Sequence, residues 1–113
     1  MAEKNKKKAY FIKKIIRTLG LKNAQVLDTA INPNLSIPKK FDIITARALA
    51  STPKIIKISQ HLLNPKGKFI LMKGLKEKVQ EEVVGLDNNK YSYTIHKIET
   101  SNQNRHILEI KQK

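Results

Sequence analysis

Arg47 is the first residue on which binding chemistry can be placed. It closes the apolar run Phe41-Asp42-Ile43-Ile44-Thr45-Ala46 and precedes Ala48-Leu49-Ala50-Ser51. Thr52-Pro53 then reads as a helix N-cap with proline at the first helical position. An open α/β sheet takes its ligand in the crevice outside the carboxyl ends of its strands. A guanidinium at such an end presents a planar fork of donors. Lys73, just before Gly74, closes the later run Lys68 to Met72 and falls on the same sheet edge. Two readings stand for it: a phosphate contact or support for Arg47, and a lysine that only snorkels to water. Lys6, Lys7 and Lys8 lie at the start of a helix, the end where the macrodipole disfavours positive charge. That misplacement suits lysines that meet RNA phosphates, and equally an ordinary charge run in a lysine-rich chain.

Other catalytic arrangements fail on residue type or spacing. The chain has no cysteine, so thiolate metal sites, disulfides and thiol nucleophiles are excluded. His61, His96 and His106 never pair at metal-ligand spacing. Ser51 and Ser59 have no base and orienting acid to complete a triad. The glycines, Gly20, Gly67, Gly74 and Gly85, are far apart, so no G-x-G phosphate or cofactor loop exists.

The elements that position these residues follow from periodicity. Tyr10, Phe11, Ile12, Ile15, Ile16 and Leu19 recur at helical spacing, and Gly20-Leu21 reads as the helix stop. Ala24 to Asp28 is short enough for a strand, and a loop with Pro33 and Pro38 separates it from the strand Phe41 to Ala46. Pro53 to Leu63 predicts a helix with Ile55, Ile56 or Ile58, Leu62 and Leu63 inward. Asn64-Pro65-Lys66-Gly67 predicts a turn before a strand over Lys68 to Lys73. Leu75, Val79 and Val83 mark the next helix at i, i+4, i+8. Alternation over Tyr91 to His96, the polar link Thr100 to Asn104, and Arg105 to Lys111 predict an antiparallel hairpin. The class is α/β, a parallel sheet closed by an antiparallel pair.

With 113 residues the chain has room for one small domain, expected to run over 1–113. Its formal charge of +14 attracts a polyanion such as RNA. Arginine contributes only Arg17, Arg47 and Arg105, and the lysine bias with abundant Ile and Asn is also what an AT-rich genome imposes. No apolar run approaches a membrane span, and Met1 to Lys8 lacks the apolar stretch of a signal peptide. The expected location is the cytoplasm, with no membrane partner.

The segment Thr45 to Ser51, with Leu62 to Gly74, resembles the GidB/RsmG family of S-adenosylmethionine-dependent methyltransferases, which methylate N7 of a guanine in small-subunit ribosomal RNA. The resemblance runs from about Glu3 to Lys111 and corresponds to roughly the second half of the family's proteins. It implies a partial Rossmann-like class I methyltransferase fold. In a sheet of order 3-2-1-4-5-7-6, the chain supplies strands three to seven and lacks the two central ones.

By this resemblance Glu3 ends the second strand and accepts hydrogen bonds from ribose hydroxyls of S-adenosylmethionine, with Lys4 and Asn5 completing that turn. Lys7-Lys8-Ala9-Tyr10-Phe11 matches the family's Lys-Lys-x-x-Phe stretch, with Lys7 and Lys8 toward RNA. Ile31 and Asn32 align with the stretch that touches the adenine ring, where Ala30-Ile31-Asn32 replaces the family's Arg-x-Glu. Arg47 matches the arginine lining the cofactor cleft, and Lys73 the family's Lys-Gly. Arg105-His106 matches its Glu-Arg-His, with Asn104 in place of the acid, and makes Arg105 an RNA contact. The family's glycine-rich loop is missing. The resemblance therefore implies a methyltransferase half that is inactive alone, with small-subunit rRNA and a separately encoded N-terminal half as partners. The alternatives are a non-enzymatic basic RNA-binding module and a non-functional remnant of a split gene.

Overall fold

Asn5 starts the first helix by accepting hydrogen bonds at its side-chain oxygen from the backbone nitrogens of Lys7 (3.0 Å) and Lys8 (3.1 Å). The computed structural model describes residues 1–47, 51–98 and 105–113 and divides into two units, Met1–Asn32 and Pro33–Lys113. Ala48 to Ala50 and the link Thr100 to Asn104 lie outside the described residues.

In the first unit, α1 (Lys6–Leu19) ends at Gly20, whose φ of 64° is the left-handed conformation that glycine adopts without a Cβ penalty. The nitrogens of Gly20 and Leu21 donate to the carbonyls of Arg17 and Ile16, a Schellman closure. Ala9 is buried and Ile12 and Ile16 half-buried, while Phe11, Ile15 and Leu19 stay exposed. The apolar face is thus covered on one side only. Residues 24–28 form a single parallel bridge, Leu27 to Ala2, in place of the expected strand. Glu3 N donates to Leu27 O (2.8 Å) and Leu27 N to Met1 O (2.7 Å). A ladder extends only while two segments run side by side, and Asn5 turns its companion into α1 after Glu3.

The second unit is a four-stranded sheet of order β1-β2-β4-β3. β1 (Phe41–Arg47) is parallel to β2 (Leu63–Lys73), joined through α2 (Thr52–Ser59) and a short 3₁₀ turn, Gln60–Leu62. β4 (His106–Gln112) is antiparallel to both β2 and β3 (Tyr91–Lys97), and α3 (Lys76–Val83) links β2 to β3. The order matches the 4-5-7-6 part of the expected sheet.

Asn64 to Gly67 corrects the predicted turn. These residues lie within β2 as an irregularity: two steps along β1, Phe41 to Ile43, oppose five along β2, Leu63 to Lys68. Asn64 Nδ2 donates to Asp42 Oδ1 (2.7 Å), and the backbones approach so closely that a Cβ on Gly67 would lie 2.9 Å from Asp42 O. Leu75 also departs from its expected place in the next helix. It occupies the position before α3 and is exposed, whereas Val79 and Val83 are buried.

Strand alternation gives the sheet two faces. On one, Phe69, Leu71, Leu108 and Ile110 are fully buried against Ile55 and Ile56 of α2 and Val79 and Val83 of α3, with Ile44, Ala46 and Ile95 at the margin. The other face carries three cross-strand rows: Arg47-Met72-Ile107-His96, Thr45-Ile70-Glu109-Thr94 and Ile43-Lys68-Lys111-Ser92.

Candidate functional site

Parallel strands β1 and β2 end together, so Arg47 in register with Met72, then Lys73 and Gly74, share one sheet edge. β4 runs the other way, which pairs its first residue, His106, with Lys73 and brings Arg105 to the same edge. Three residues selected from sequence, Arg47, Lys73 and Arg105, are thus collected at the carboxyl ends of the parallel pair. Arg47 and Arg105 are exposed.

Lys73 is held differently. Its ammonium is 3.3 Å from Glu82 Oε1, with side chains only 13% and 15% exposed. The same oxygen accepts from Thr52 N at 2.6 Å. One carboxylate from α3 therefore joins the end of β2 to the first turn of α2, where the dipole favours an anion and α2 has no acid of its own. Ser51, the N-cap residue, makes no side-chain capping bond. Lys73 is a positioning residue for this edge in the geometry seen, with its charge turned to Glu82.

His106 was noted in sequence only as part of a match, and its role is structural. Nδ1 lies 2.6 Å from Gly74 O, so that nitrogen carries the proton and donates it, tying β4 to the end of β2. Glu82 was missed in sequence because it lies on another element, nine positions beyond Lys73, with no shared period. The available signal was indirect: a helix beginning Thr52-Pro53-Lys54 lacks a first-turn acid and must borrow one.

The remaining predicted residues lie in the first unit. Glu3 is half-buried, and its Oε1 accepts from Asn5 N at 3.2 Å. Asn5 is the α1 cap, while Lys4, Lys7 and Lys8 are exposed around it. Ile31 is half-buried and Asn32 exposed. A carboxylate accepts at several lone-pair positions, of which the Asn5 nitrogen takes one on Glu3, so its chemistry fits a ribose hydroxyl. The sequence holds no G-x-G loop whose backbone amides would grip the methionine end of S-adenosylmethionine, so the fit covers part of that cofactor. Among the described residues, no cluster of three His, Asp or Glu could hold a metal ion. Among them, too, no helix is long and apolar enough to cross a membrane.

A family model described as rRNA small subunit methyltransferase G (GidB) matches residues 1–110. The chain is 38% identical over 110 residues to the ribosomal RNA small subunit methyltransferase G of Brachyspira hyodysenteriae, covering 96% of this chain and 52% of that protein. With the protein of the same description from Xanthomonas oryzae it shares 32% over 113 residues, again 52% of the relative. Among solved structures, an rRNA methylase from Streptococcus thermophilus superposes with a TM-score of 0.70 at 15% identity, over 98% of this chain and 70% of that one. SMU.1697c from Streptococcus mutans, solved in complex with SAH, gives 0.68 at 13%, over 99% and 74%. These likenesses establish a partial Rossmann-like class I methyltransferase fold. The chain spans about half the length of the curated relatives it matches. It belongs to the rRNA small subunit methyltransferase G (GidB) family.

Proposed function

We propose that this chain is the C-terminal half of an S-adenosylmethionine-dependent methyltransferase that acts on N7 of a guanine in small-subunit rRNA, inactive alone and active only together with the N-terminal half found in its relatives. The observation that carries the reading is the edge where β1 and β2 end in parallel, with Arg47, Lys73 and Arg105 on it, in a chain that covers 52% of its relatives. The two units, 1–32 and 33–113, would serve together as one truncated methyltransferase domain in the cytoplasm.

In this reading Glu3 accepts from the cofactor's ribose, Lys4 and Asn5 shape its turn, and Ile31 and Asn32 border the adenine. Arg47 faces the cofactor cleft, and Lys7, Lys8 and Arg105 meet RNA phosphates. Lys73 secures the edge through Glu82. When bound, S-adenosylmethionine supplies a methyl group activated by its sulfonium. Guanine N7 already carries a lone pair and loses no proton, so none of the chain's residues needs to act as a base. Their work is to hold the nucleophile in line and exclude water.

The test mixes the chain with the half of the B. hyodysenteriae relative that lies outside the match, then follows methyl transfer into small-subunit rRNA. Transfer with the mixture, and none with either piece, is the expected result. Transfer by the chain alone, or none by an assembled pair, would reject the proposal. The formal charge of +14 favours a second reading, a basic RNA-binding module without activity. It requires salt-sensitive RNA affinity in the absence of any partner. A chain with neither property is the remnant of a split gene.

A further inference from the structure

We propose that the end of the sheet opposite Arg47 is a second RNA-binding surface, on which exposed lysines grip the sugar-phosphate backbone away from the reaction edge. This rests on the functional reading above for RNA as the partner, and adds a second hold on that substrate.

Strand direction gathers these lysines. Phe41 pairs with Leu63, Lys68 with Lys111 and Tyr91 with Gln112, so β1, β2 and β3 begin at the end where β4 finishes. Lys39 and Lys40 immediately precede β1, and Lys66 lies in the irregular stretch of β2. Lys90, Lys111 and Lys113 stand at the outer ends of β3 and β4, and all six are exposed. Lys113 N donates to Lys90 O at 2.8 Å, which carries the pairing past Gln112 and brings two lysines across from each other. Lys68 and Lys111 oppose each other in the same way. Like charges directly opposite destabilise a sheet, so two such pairs at one end work against stability. A lysine-rich composition accounts for the number of lysines and not for this pairing.

The carboxylates of this end are engaged with other groups. Glu109 Oε2 accepts from Lys68 Nζ at 3.1 Å, and its Oε1 lies 3.4 Å from His96 Nε2. Asp42 Oδ1 accepts from Asn64 Nδ2 at 2.7 Å, and Asp87 Oδ1 from Asn89 N at 2.9 Å. Among the described residues, none of the six lysines forms an ion pair. Their charges are open to an external anion. An ammonium is a point charge without arginine's fork, which suits phosphate contacts that carry no sequence information. Four strands at a spacing of about 4.8 Å make an end roughly 14 Å wide, broad enough for several phosphates. Peripheral membrane binding draws on an amphipathic helix lying in the interface, and strand ends supply none. The span of β2 from Lys68 to Lys73, about 16 Å at strand rise, separates this grip from the edge with Arg47. The two therefore hold different stretches of RNA.

The test titrates the whole chain with small-subunit rRNA over a range of salt concentrations and follows binding by fluorescence anisotropy. Lys39→Gln/Lys40→Gln and Lys111→Gln/Lys113→Gln each remove two charges from this end. Each should lower the slope of log affinity against log salt by about 1.5 and weaken binding about tenfold or more. Lys54→Gln/Lys57→Gln, an equal charge change at exposed positions of α2, should cost less than about twofold, because distant charges are screened. Thermal melts should show no loss of stability in Lys111→Gln/Lys113→Gln, which relieves opposed like charges. If that variant does not fold, Lys39→Gln/Lys40→Gln carries the test. Absence of RNA affinity in the native chain, affinity unchanged in the folded variants, or an equal loss in the α2 variant overturns the proposal. So does binding of phosphatidylserine vesicles or polyglutamate, without RNA binding, that the same substitutions abolish. Affinity that follows the expected pattern, with no methyl transfer by the assembled halves, would refute the methyltransferase reading and keep the surface. Methyl transfer with affinity indifferent to these lysines would do the reverse.

Discussion

Removing Glu82 tests the local architecture of the candidate edge most directly. Its Oε1 lies 3.3 Å from Lys73 Nζ and 2.6 Å from Thr52 N, so Glu82→Ala deletes an ion pair and the anion at the start of α2 together. Breaking a buried pair from one side costs about 3–5 kcal/mol, because the remaining charge stays desolvated. The side chains here keep 13% and 15% of their exposure, which puts the loss near the lower end. The favourable anion at a helix N-terminus adds about 0.5 kcal/mol. An expected total of about 3 kcal/mol corresponds to a fall of roughly 12 °C in Tm for a domain of this size. Urea titration followed by circular dichroism measures it, at two salt concentrations to separate buried from screened terms. Lys73→Met in the Glu82→Ala background should recover much of the loss, giving a coupling of about 1.5 kcal/mol or more in the double-mutant cycle. A loss under about 1 kcal/mol for Glu82→Ala, or strict additivity with Lys73→Met, would show that this carboxylate does not organise the edge.

Arg47→Ala should abolish methyl transfer by the reconstituted pair while leaving its sedimentation unchanged; undiminished turnover would remove Arg47 from the site. Gly67→Ala should cost about 2 kcal/mol, since its Cβ would lie 2.6 Å from Leu63 Cδ1 and 2.9 Å from the Asp42 carbonyl. Gly20→Ala meets nothing within 4 Å and should cost only about 1 kcal/mol for its φ of 64°. Equal losses in denaturant titrations would refute the distinction. Glu109 has its carboxyl held below the ordinary value of 4.5, first by the hydrogen bond from Lys68 and then by that from His96. Its contribution to stability is therefore present above the unfolded-state pKa and lost as pH falls through the folded one. The stability gap between the native chain and Glu109→Gln should hold from neutral pH to about 4.5 and shrink below it; a gap constant into the acid range would refute the assignment.

Local signals sufficed wherever local chemistry decides. Gly20-Leu21 stopped α1, Thr52-Pro53 marked the start of α2 although the N-cap is Ser51 and not the expected Thr52, and the alternation over Tyr91 to His96 marked β3. Arg47 was legible as a strand-end residue because β1 is short and its successor helix is sharply signalled. Partnership across elements was not legible. Asn64 to Gly67 has the composition of a turn, and only the Asp42 side chain and the opposing β1 backbone make it a bulge within β2. Ala24 to Asp28 has strand composition, yet a strand requires a neighbour, and Ala2 gives it one pairing. Lys73 looked free to meet phosphate because nothing in sequence spacing links a strand end to Glu82 on a later helix.

The two faces of the sheet separate what stability needs from what function would need. Phe69, Leu71, Leu108 and Ile110 are fully buried with α2 and α3 on one side, using residues of the 33–113 unit alone. Arg47 and Arg105 contribute nothing to that core, and the exposed side chains of Ile43 and Met72 point from the opposite face. Ile56→Ala should therefore lower stability by about 2–4 kcal/mol in the isolated chain, from lost packing. Ile43→Gln should cost about 0.5 kcal/mol or less there, as is usual for exposed sites. If Ile43→Gln destabilised the isolated chain as much as Ile56→Ala, the outward face would already be serving as core.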